Sequence, residues 1–365
     1  MKPSFFYLLA LLKTPGVGSK ISAFLLQQFE TPENIFELER KTLLRLSYLP
    51  RPTAKNILDK VGFEEAEKEI KFMERNNITP YTFLDESYPF RLLECIDRPP
   101  LFYAKGNASL STNRMISIVG TRNNTPYSEL FLESFIAELS TLKGLTIVSG
   151  LAMGVDILAH KLALKYNIPT IGVMGTGMRQ IYPEEHKIIA DKMLLNGALV
   201  TEFHAYDSVV PGNFPRRNRI IAGLSDATIV VETKLKGGSV ITANIANSYN
   251  REVFAVPGRT TDPYSIGCNF LIKTYKAIIL NESKDLLESM GWTNPTNSGI
   301  VKELEFANTQ EKTIYYNIKN NPEIGIDSLA GISLMPNSAL ASILLDLELE
   351  GRIKALPGKR YKISE

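Results

Sequence analysis

The chain has 365 residues, of which 44% are hydrophobic and 22% charged, and its mean hydropathy is −0.04. This composition is typical of a soluble globular protein with two or three domains and argues against a disordered chain. Because the formal net charge is only +2, any binding of nucleic acid must come from a local basic patch and not from a globally basic surface.

The N-terminal segment "MKPSFFYLLALLKTPG" contains an apolar run that is too short to span a bilayer. It lacks a small-residue cleavage site, and a helical pattern continues directly after it. Cys95 and Cys268 lie far apart and show no metal-ligand spacing with the histidines. We therefore expect a cytoplasmic protein without membrane association, disulfide, metal or cofactor.

Residues 1–75 are predicted to form a helical module. In "SFFYLLALLKTPGVGSKISAFLLQQF" two helical patterns flank "PGVG", which is typical of a helix-hairpin-helix motif. The segment 46–58, "LSYLPRPTAKNIL", resembles a degraded second copy with Arg51 and Pro52 in place of the hairpin glycines. Such a hairpin can present N–H groups to a phosphate, so the module either contacts DNA or is a helical bundle that keeps only the shape of the motif.

Residues 78–292 are predicted to form an α/β domain. A strand, a short helix and a strand over 78–106 are followed by apolar runs at 115–121, 145–150, 169–177, 198–202, 226–232, 252–258 and 276–280. Stretches of helical length separate most of these Val- and Ile-rich runs. This alternation predicts an extended Rossmann-like parallel sheet that is covered by helices on both faces.

The last part of the chain is predicted to be a polar linker, 293–308, and a winged helix, 309–365. The presumed recognition helix, "PNSALASILLDLELE" (336–350), carries no Lys or Arg, whereas helices that read DNA usually do. We interpret the module as a protein-docking or regulatory one, whose apolar helix positions fill its own core and whose cations lie on the wing. The core positions are Leu340, Ile343, Leu344 and Leu347, and the wing cations are Arg352, Lys354, Lys359, Arg360 and Lys362.

Small and cationic residues follow four of the predicted strands. In an open parallel sheet, ligands bind beyond the carboxyl ends of the strands. Helices that begin near Gly154 and Ser239 would add N–H groups and a positive dipole end. Together they predict a phosphate site built from Gly120, Thr121, Arg122, Ser149, Gly150, Gly175, Thr176, Gly177, Lys234, Lys236, Gly238, Ser239 and Thr242.

An arginine cluster precedes the strand at 226–232. In "NFPRRNRIIAGLSDATIVVE" (213–232), Arg216, Arg217 and Arg219 have no acidic neighbour in the sequence before Asp226. Crowded like charges are unfavourable unless an anion meets them. We expect an anionic ligand there. We also expect at least one of the three, with Arg216 the first choice, to form an internal salt bridge that shapes the loop.

No enzymatic motif is complete in this chain. The dinucleotide pattern G-x-G-x-x-G and the P-loop pattern are absent. The turn "KGGSVIT" resembles that of Rossmann-like phosphoribohydrolases but lacks their catalytic Glu. Asp156 and His160, four residues apart, could be an acid–base pair, but a helix-surface pair that structures the fold is the favoured interpretation. His186 and His204 are interpreted as structural, Tyr182–Pro183 as a turn at a helix start, and no catalytic residue is expected.

Seven ordered blocks resemble the DprA (Smf) family, the DNA-processing proteins of natural transformation. They are "VGTR", "SGLAMGVDILAH", "GTGMRQIYPEEHK", "FPRRNRIIAGLS", "KGGSVITA", "VFAVPG" and "GCNFLI". One departure is Thr121, where many members have Ser. The resemblance implies a dimeric protein, not an enzyme, that binds and protects incoming single-stranded DNA and helps to load RecA recombinase. The positions that match the family's basic and glycine-rich motifs are Arg122, Lys187, Arg216, Arg217, Asn218, Arg219, Lys234, Lys236 and Ser239.

Two more specific expectations follow from the resemblance. Arg122, Lys187, Arg217 and Arg219 are expected to line one groove that tracks the DNA backbone. The segment 267–280 is expected to form the dimer interface, although burial of Leu271, Ile272 and Tyr275 in the core is an equal alternative. A nucleotide phosphoribohydrolase and a winged-helix transcription regulator stay open as other functions.

Overall fold

The computed structural model describes residues 3–292, 306, 308–321, 323–350, 352–356 and 358–363. The chain divides into two compact units, Met1–Trp292 and Thr293–Glu365, and each is described by itself below. Most of the linker that we predict over 293–308 lies outside the described residues. Among those described, no single helix has the length and apolarity to cross a membrane, and one bent pair of helices in the second unit meets those two criteria.

The first unit begins with short helices that pack around two apolar clusters. The first two helices flank the predicted hairpin, in which Gly16 has a φ of 90°. A Cβ on Gly16 would lie 2.3 Å from Oγ1 of Thr53, so the hairpin packs closely against the fifth helix. Val17 is buried in the core, as the motif requires. The helices are α1 (Pro3–Lys13), α2 (Ser19–Phe29), α3 (Pro32–Glu37), α4 (Arg40–Arg45), α5 (Arg51–Leu58) and α6 (Phe63–Asn76).

A nine-stranded sheet follows, in the order β1-β2-β6-β5-β4-β3-β7-β8-β9. Strands from β6 to β9 in this order are mutually parallel, as predicted, and β1 and β2 pair antiparallel at one edge. The run 276–280 contributes only the two residues of β9. The strands are β1 (Thr79–Thr82), β2 (Leu101–Gly106), β3 (Arg114–Gly120), β4 (Leu145–Gly150), β5 (Thr170–Val173), β6 (Ala198–Thr201), β7 (Ala227–Val231), β8 (Glu252–Ala255) and β9 (Ile278–Ile279).

Helices cover both faces of this sheet. Ile116 and Ile118 of β3 pack into the cluster that contains α8 and α9, whereas Met115 and Val119 pack into the cluster that contains α11 and α12. Because both faces are buried, the central strands are continuous apolar runs without alternation. The helices are α7 (Phe90–Leu93), α8 (Pro126–Leu139), α9 (Val155–Lys165), α10 (Lys187–Met193), α11 (Asn213–Leu224), α12 (Gly238–Ser248), α13 (Ile266–Lys273) and α14 (Ser283–Ser289). A short 3-10 helix, Glu184–His186, follows Tyr182–Pro183 and confirms the predicted turn at a helix start.

The strand order reverses at β3. Its neighbour on one side is β4, the next strand in the chain, and its neighbour on the other side is β7. The connections from β3 and β7 therefore leave the sheet in different directions and open a crevice at the carboxyl ends of these two strands.

The second unit is a winged helix, as predicted. Its sheet has the order β10-β12-β11. Leu340, Ile343, Leu344 and Leu347 of its longest helix are buried in the unit's core, which confirms their predicted role. The elements are α15 (Thr309–Asn320), β10 (Ile324–Gly325), α16 (Ile326–Ser333), α17 (Asn337–Leu349), β11 (Ile353–Leu356) and β12 (Arg360–Ile363).

Candidate nucleic-acid interface

A cavity of about 440 Å³ lies at the carboxyl ends of β3 and β7, in the crevice where the strand order reverses. Its wall comes from the turn after β3, the start of α9, the first turns of α11 and the turn between β7 and α12. The structure thus brings ten of the predicted site residues together: Gly120, Thr121, Arg122, Arg217, Asn218, Lys234, Lys236, Gly238, Ser239 and Thr242.

Three exposed cations and one helix start surround the mouth of the cavity. Arg122, Lys234 and Lys236 are exposed, and Lys234 Nζ lies 5.2 Å from the centroid of the Tyr264 ring. Helix α12 begins at Gly238 without a side-chain cap. Because the first N–H groups of a helix have no intrahelical partner, this helix start adds donors to the same wall.

The fourth cation of the cavity, Arg217, is buried. Only 5% of the residue is exposed, and its Nη1 donates a hydrogen bond to the carbonyl oxygen of Val173. Its Nε is buried and has no hydrogen-bond partner among the described residues. Burial lowers the pKa of this guanidinium from its ordinary value, and the nearby Asp156 opposes that shift. A buried guanidinium with an unused donor favours an anion in front of it.

The other two arginines of the cluster bind a carboxylate of the protein. Arg216 and Arg219 each place an Nη2 atom 2.7 Å from Oε2 of Glu202, which follows β6. The side chain of Glu202 is almost completely buried, and burial raises its pKa, against the pull of both arginines. The internal salt bridge expected of Arg216 is confirmed. The prediction that the arginines lie in a loop is wrong, because all three lie on helix α11. Positions 216 and 219 share one face of this helix.

Asp156 is the one carboxylate among the described residues that line the cavity. It is buried, and burial raises the pKa of its carboxyl to about 7, although Arg217 pulls the pKa down. His160 is also buried, and its Nδ1 lies 2.7 Å from the Thr170 hydroxyl. The interpretation of the two residues as a helix-surface pair is therefore wrong, because helix α9 is packed between the sheet and α8 and both side chains face inward.

Several predicted small residues make room for protein atoms. A Cβ on Gly150 would meet the guanidinium of Arg217 at 2.4 Å, one on Gly175 the Phe214 ring at 2.7 Å, and one on Gly177 the His204 carbonyl oxygen at 2.1 Å. The side chain of Ser149 donates to the carbonyl oxygen of Ile118, and that of Thr176 to the carbonyl oxygen of Gln180. These contacts account for small residues at 149, 150 and 175–177 without a ligand.

Lys187 is exposed at the start of α10 and is not part of the cavity wall. Of the four residues that we expect to line one groove, Arg122 and Arg217 lie in the cavity wall. Lys187 lies outside the wall, and Arg219 faces Glu202. A smaller adjoining cavity of about 160 Å³ shares Arg122 and Arg217 and adds Gly175, Tyr182 and Phe214. The rings of Tyr182 and Phe214 are 5.3 Å apart.

Three side chains of this region carry no signal in the sequence that marks their contacts. Glu202 is 14 residues before Arg216, and no motif pairs it with the arginines. Tyr264 reaches the cavity from the loop after β8, and no motif marks it. Glu232, directly before the glycine-rich turn, accepts hydrogen bonds from the N–H and the hydroxyl of Thr125 at 2.9 and 2.5 Å, so its carboxylate is engaged outside the cavity wall.

Family models match most of the chain. The model of DNA recombination-mediator protein A matches residues 79–291, which contain the sheet and the whole cavity wall. The chain belongs to this family. The DprA winged helix domain matches residues 310–359, and a SAM-like helix-hairpin-helix tandem matches residues 8–62. The tandem match includes the segment 46–58 and agrees with its interpretation as a second copy of the hairpin motif.

Individual relatives show the same family. Protein Smf of Synechocystis is 30% identical over 98% of this chain and 98% of its own length, and Protein Smf of Escherichia coli is 36% identical over 75% and 74%. The X-ray structure of DNA processing protein A from Streptococcus pneumoniae aligns with a TM-score of 0.69 at 31% identity and covers 79% of this chain and 98% of that one. A Helicobacter pylori structure, described as showing the single-stranded DNA binding mode of DNA processing protein A, aligns with a TM-score of 0.53 at 29% identity, over 58% of this chain and 95% of that one.

Proposed function

We propose that this protein binds single-stranded DNA by holding backbone phosphates in the cavity between β3 and β7. The observation that carries the proposal is the convergence of Arg122, Arg217, Lys234 and Lys236 with the uncapped start of α12. Helix starts and guanidinium groups are the donors that proteins use for phosphate oxygens. The DNA-binding mode described for the Helicobacter pylori relative supports the proposal.

A single strand suits this arrangement better than a duplex. Phosphate contacts hold a strand without reading its bases, and aromatic faces add base stacking. Tyr182 and Phe214 provide such faces in the adjoining cavity, and the exposed part of Tyr182 is 53%. We infer that a strand lies across both cavities, with phosphates at the cations and bases at the aromatic rings.

A salt titration of oligonucleotide binding tests the proposal. For single strands, each phosphate contact contributes about 0.7 to the slope of log K against log salt. The double variant Arg122→Ala/Lys234→Ala should therefore bind a thymine-only oligonucleotide more weakly, with a slope reduced by about 1.4. Lys143→Ala/Lys161→Ala removes two exposed cations outside the cavity wall and is the matched control.

The results of these variants test the proposal and show how far the DNA site extends. An unchanged slope in the cavity variant would contradict the proposal. The single variant Lys187→Ala tests the wider groove expected from the family motif. A loss comparable to that of Arg122→Ala would extend the site to α10, and binding unchanged from the native protein would confine it to the cavities.

The rival function is hydrolysis of a nucleotide. Rossmann-like phosphoribohydrolases use a Glu after their glycine-rich turn, and here that turn continues as "SVIT". The two functions predict different results in parallel assays. Release of free base from nucleoside monophosphates would favour the hydrolase, whereas a gel shift of an unstructured oligonucleotide without base release favours the DNA-binding function. Sequence-specific duplex binding would instead favour a transcription regulator.

We further propose that bound strands pass to a recombinase of the RecA type and that the active form is a dimer. The name of the matching family, a recombination mediator, supports the first part. The assay is RecA-driven strand exchange on DNA coated with single-strand-binding protein. Addition of this protein should shorten the lag of the reaction, and the cavity variant Arg122→Ala/Lys234→Ala should not.

A further inference from the structure

A buried acid lies inside the site that we propose for phosphates. Asp156 lines the cavity on the first turn of α9, with only 8% of the residue exposed. It shares the wall with Arg217 and Arg122, the two cations whose charges most favour its ionised form. A bound phosphate would use the same two cations and bring its own negative charge beside the carboxylate. Two anions at such short range in a poorly solvated site repel each other strongly.

We infer that binding of DNA phosphates in this cavity is coupled to the uptake of one proton by Asp156. The inference rests on the proposed function and adds a regulation of the same site. The protonated carboxyl is uncharged, so it removes the repulsion while Arg217 and Arg122 turn to the phosphate. Asp156 thus acts as a positioning residue, which holds the cations when the site is empty and releases them when it is filled.

Burial favours the protonated form of Asp156. The residue is only 8% exposed, so its carboxylate has lost most of its hydration. The backbone N–H of Ala152 and the charges of Arg217 and Arg122 favour the ionised form, but burial outweighs them and raises the pKa of Asp156 to about 7. The Ser149 hydroxyl donates to the carbonyl oxygen of Ile118, so its proton does not stabilise the carboxylate.

Apart from Asp156, the titratable groups on α9 and on the elements packed against it lie outside the wall of this cavity. On α9 itself, His160 is buried with a pKa lowered to about 3 and stays neutral near pH 7. From the 3-10 helix before α10, His186 bonds to the carbonyl oxygen of Leu151 through Nδ1. Glu133 of α8 pairs with Lys165 at the other end of α9.

The 3-10 helix also carries Glu185, an exposed carboxylate that lines the smaller adjoining cavity. Apart from Asp156, the charged residues on the wall of the main cavity are cations. Lys234 and Lys236 lie on the opposite wall of the cavity, and Lys187 of α10 is exposed outside it. Helix α9 packs against β3, β4 and β5. The polar residues of these strands do not titrate in this range and are Ser117, Thr146, Ser149 and Thr170. Arg114 lies at the start of β3, at the end of the strand that is opposite the cavity.

The affinity for DNA should decrease with rising pH, because the pKa of Asp156 rises on binding. Affinity is highest and flat below the pKa of the free site, about 7, and it falls as the pH rises above that value. Between the pKa values of the free and the bound site, affinity falls by at most about tenfold per pH unit. Near pH 7.5 about a quarter of the free sites are already protonated, so the expected uptake is up to about three quarters of a proton per bound site.

Calorimetry of the full chain measures this uptake directly. The native protein is titrated with a thymine-only oligonucleotide at about pH 7.5 in buffers that differ in their enthalpy of ionisation, and the slope of the observed enthalpy gives the number of protons taken up. Asp156→Asn mimics the neutral acid and should bind with no proton uptake and with a flat pH profile. At about pH 8 its affinity should exceed that of the native protein by roughly up to tenfold.

Glu69→Gln is the matched control. Like Asp156, Glu69 is a buried acid whose pKa is raised by burial. Unlike Asp156, it lies away from the cavity wall, where it accepts a hydrogen bond from the backbone N–H of Ala205. This variant should keep the native proton uptake. Binding without proton uptake in the native protein overturns the inference and leaves the proposed function standing. A pH profile of Asp156→Asn equal to the native one does the same. Failure of the native protein to bind any oligonucleotide overturns the proposed function and this inference with it.

Discussion

Gly150 and Arg217 are packed so closely that no side chain fits between them. A Cβ on Gly150 would lie 2.4 Å from Nη1 and 2.6 Å from Cζ of Arg217. The last residue of β4 thus provides the flat surface on which the buried guanidinium rests, with its Nη1 bonded to the carbonyl oxygen of Val173 at the end of β5. Two strands therefore set the position of the buried cation in the cavity wall.

The first prediction follows from this contact. Gly150→Ala should displace Arg217 and weaken oligonucleotide binding as much as Arg217→Ala does. The overpacked site should also lower the free energy of unfolding by about 1–3 kcal/mol. Oligonucleotide titration and denaturant unfolding measure the two effects. Gly212→Ala is the control, since a Cβ on Gly212 meets nothing within 4 Å, and native affinity in Gly150→Ala would contradict the role given to Arg217.

The parallel sheet and the location of the candidate site were predictable from the sequence, because both depend on local patterns. Val- and Ile-rich runs alternate with stretches of helical length, and glycines follow the strands at the edge where ligands bind. The resulting sheet has the predicted strands in the parallel arrangement, and ten of the predicted site residues surround one cavity.

The partners of the arginines were not predictable, because they depend on contacts between distant residues. Glu202 is 14 residues before Arg216, and only the packing of α11 beside the end of β6 makes it their counter-ion. Asp156 shows the same limit. A spacing of four residues places it on the same face as His160, but it does not tell whether that face is exposed or packed against the sheet.

The second prediction concerns His160 and the stability of the protein in acid. Its Nδ1 is bonded to Thr170, its Nε2 is buried without a partner among the described residues, and burial lowers its pKa to about 3. The unfolded chain therefore binds a proton at His160 more readily than the folded one, so stability is lost as the pH falls below about 6.5. Between about pH 6.5 and 5 the loss should be about 2 kcal/mol.

His160→Gln should remove this part of the pH dependence. Denaturant unfolding of the native protein and the variant, each at about pH 7 and about pH 5, gives the loss of stability of each protein. Subtracting one loss from the other cancels the contributions of groups that titrate in both proteins, among them Asp156. His204, whose pKa burial lowers to about 4, contributes a similar loss and stays in both proteins. An equal loss of stability in the native protein and in the variant would contradict the buried, neutral state of His160.

The third prediction concerns the proposed dimer. β9 is the edge strand of the sheet, and its Ile278 and Ile279 are exposed, as is 97% of Tyr275. Leu271, in contrast, is fully buried, so the segment 267–280 has both a core side and an outer side. An exposed apolar strand edge is a surface that another chain readily covers. Light scattering at micromolar concentration should therefore give a mass of twice 40.7 kDa.

Tyr275→Asp should shift this mass toward that of one chain. Leu195→Asp is the control, because Leu195 is also an exposed apolar residue, 78% accessible, and it precedes β6, which lies several strands away from β9. A mass of one chain for the native protein would contradict the dimer, and a dimer unaffected by Tyr275→Asp would place its interface elsewhere.

The last prediction concerns the winged helix, whose longest helix is poorly suited to DNA. Helix α17 carries no Lys or Arg, and its exposed surface includes Asp346 and Glu348, which phosphates would repel. Deletion of residues 301–365 should therefore leave the affinity for single strands within a few-fold of the full chain, a change of about 1 kcal/mol or less. Lys354→Ala/Lys362→Ala in the full chain tests the cations of the wing separately and should leave the salt slope unchanged. A hundredfold loss of affinity on deletion, in a protein that is still folded and dimeric, would show that the wing belongs to the DNA site.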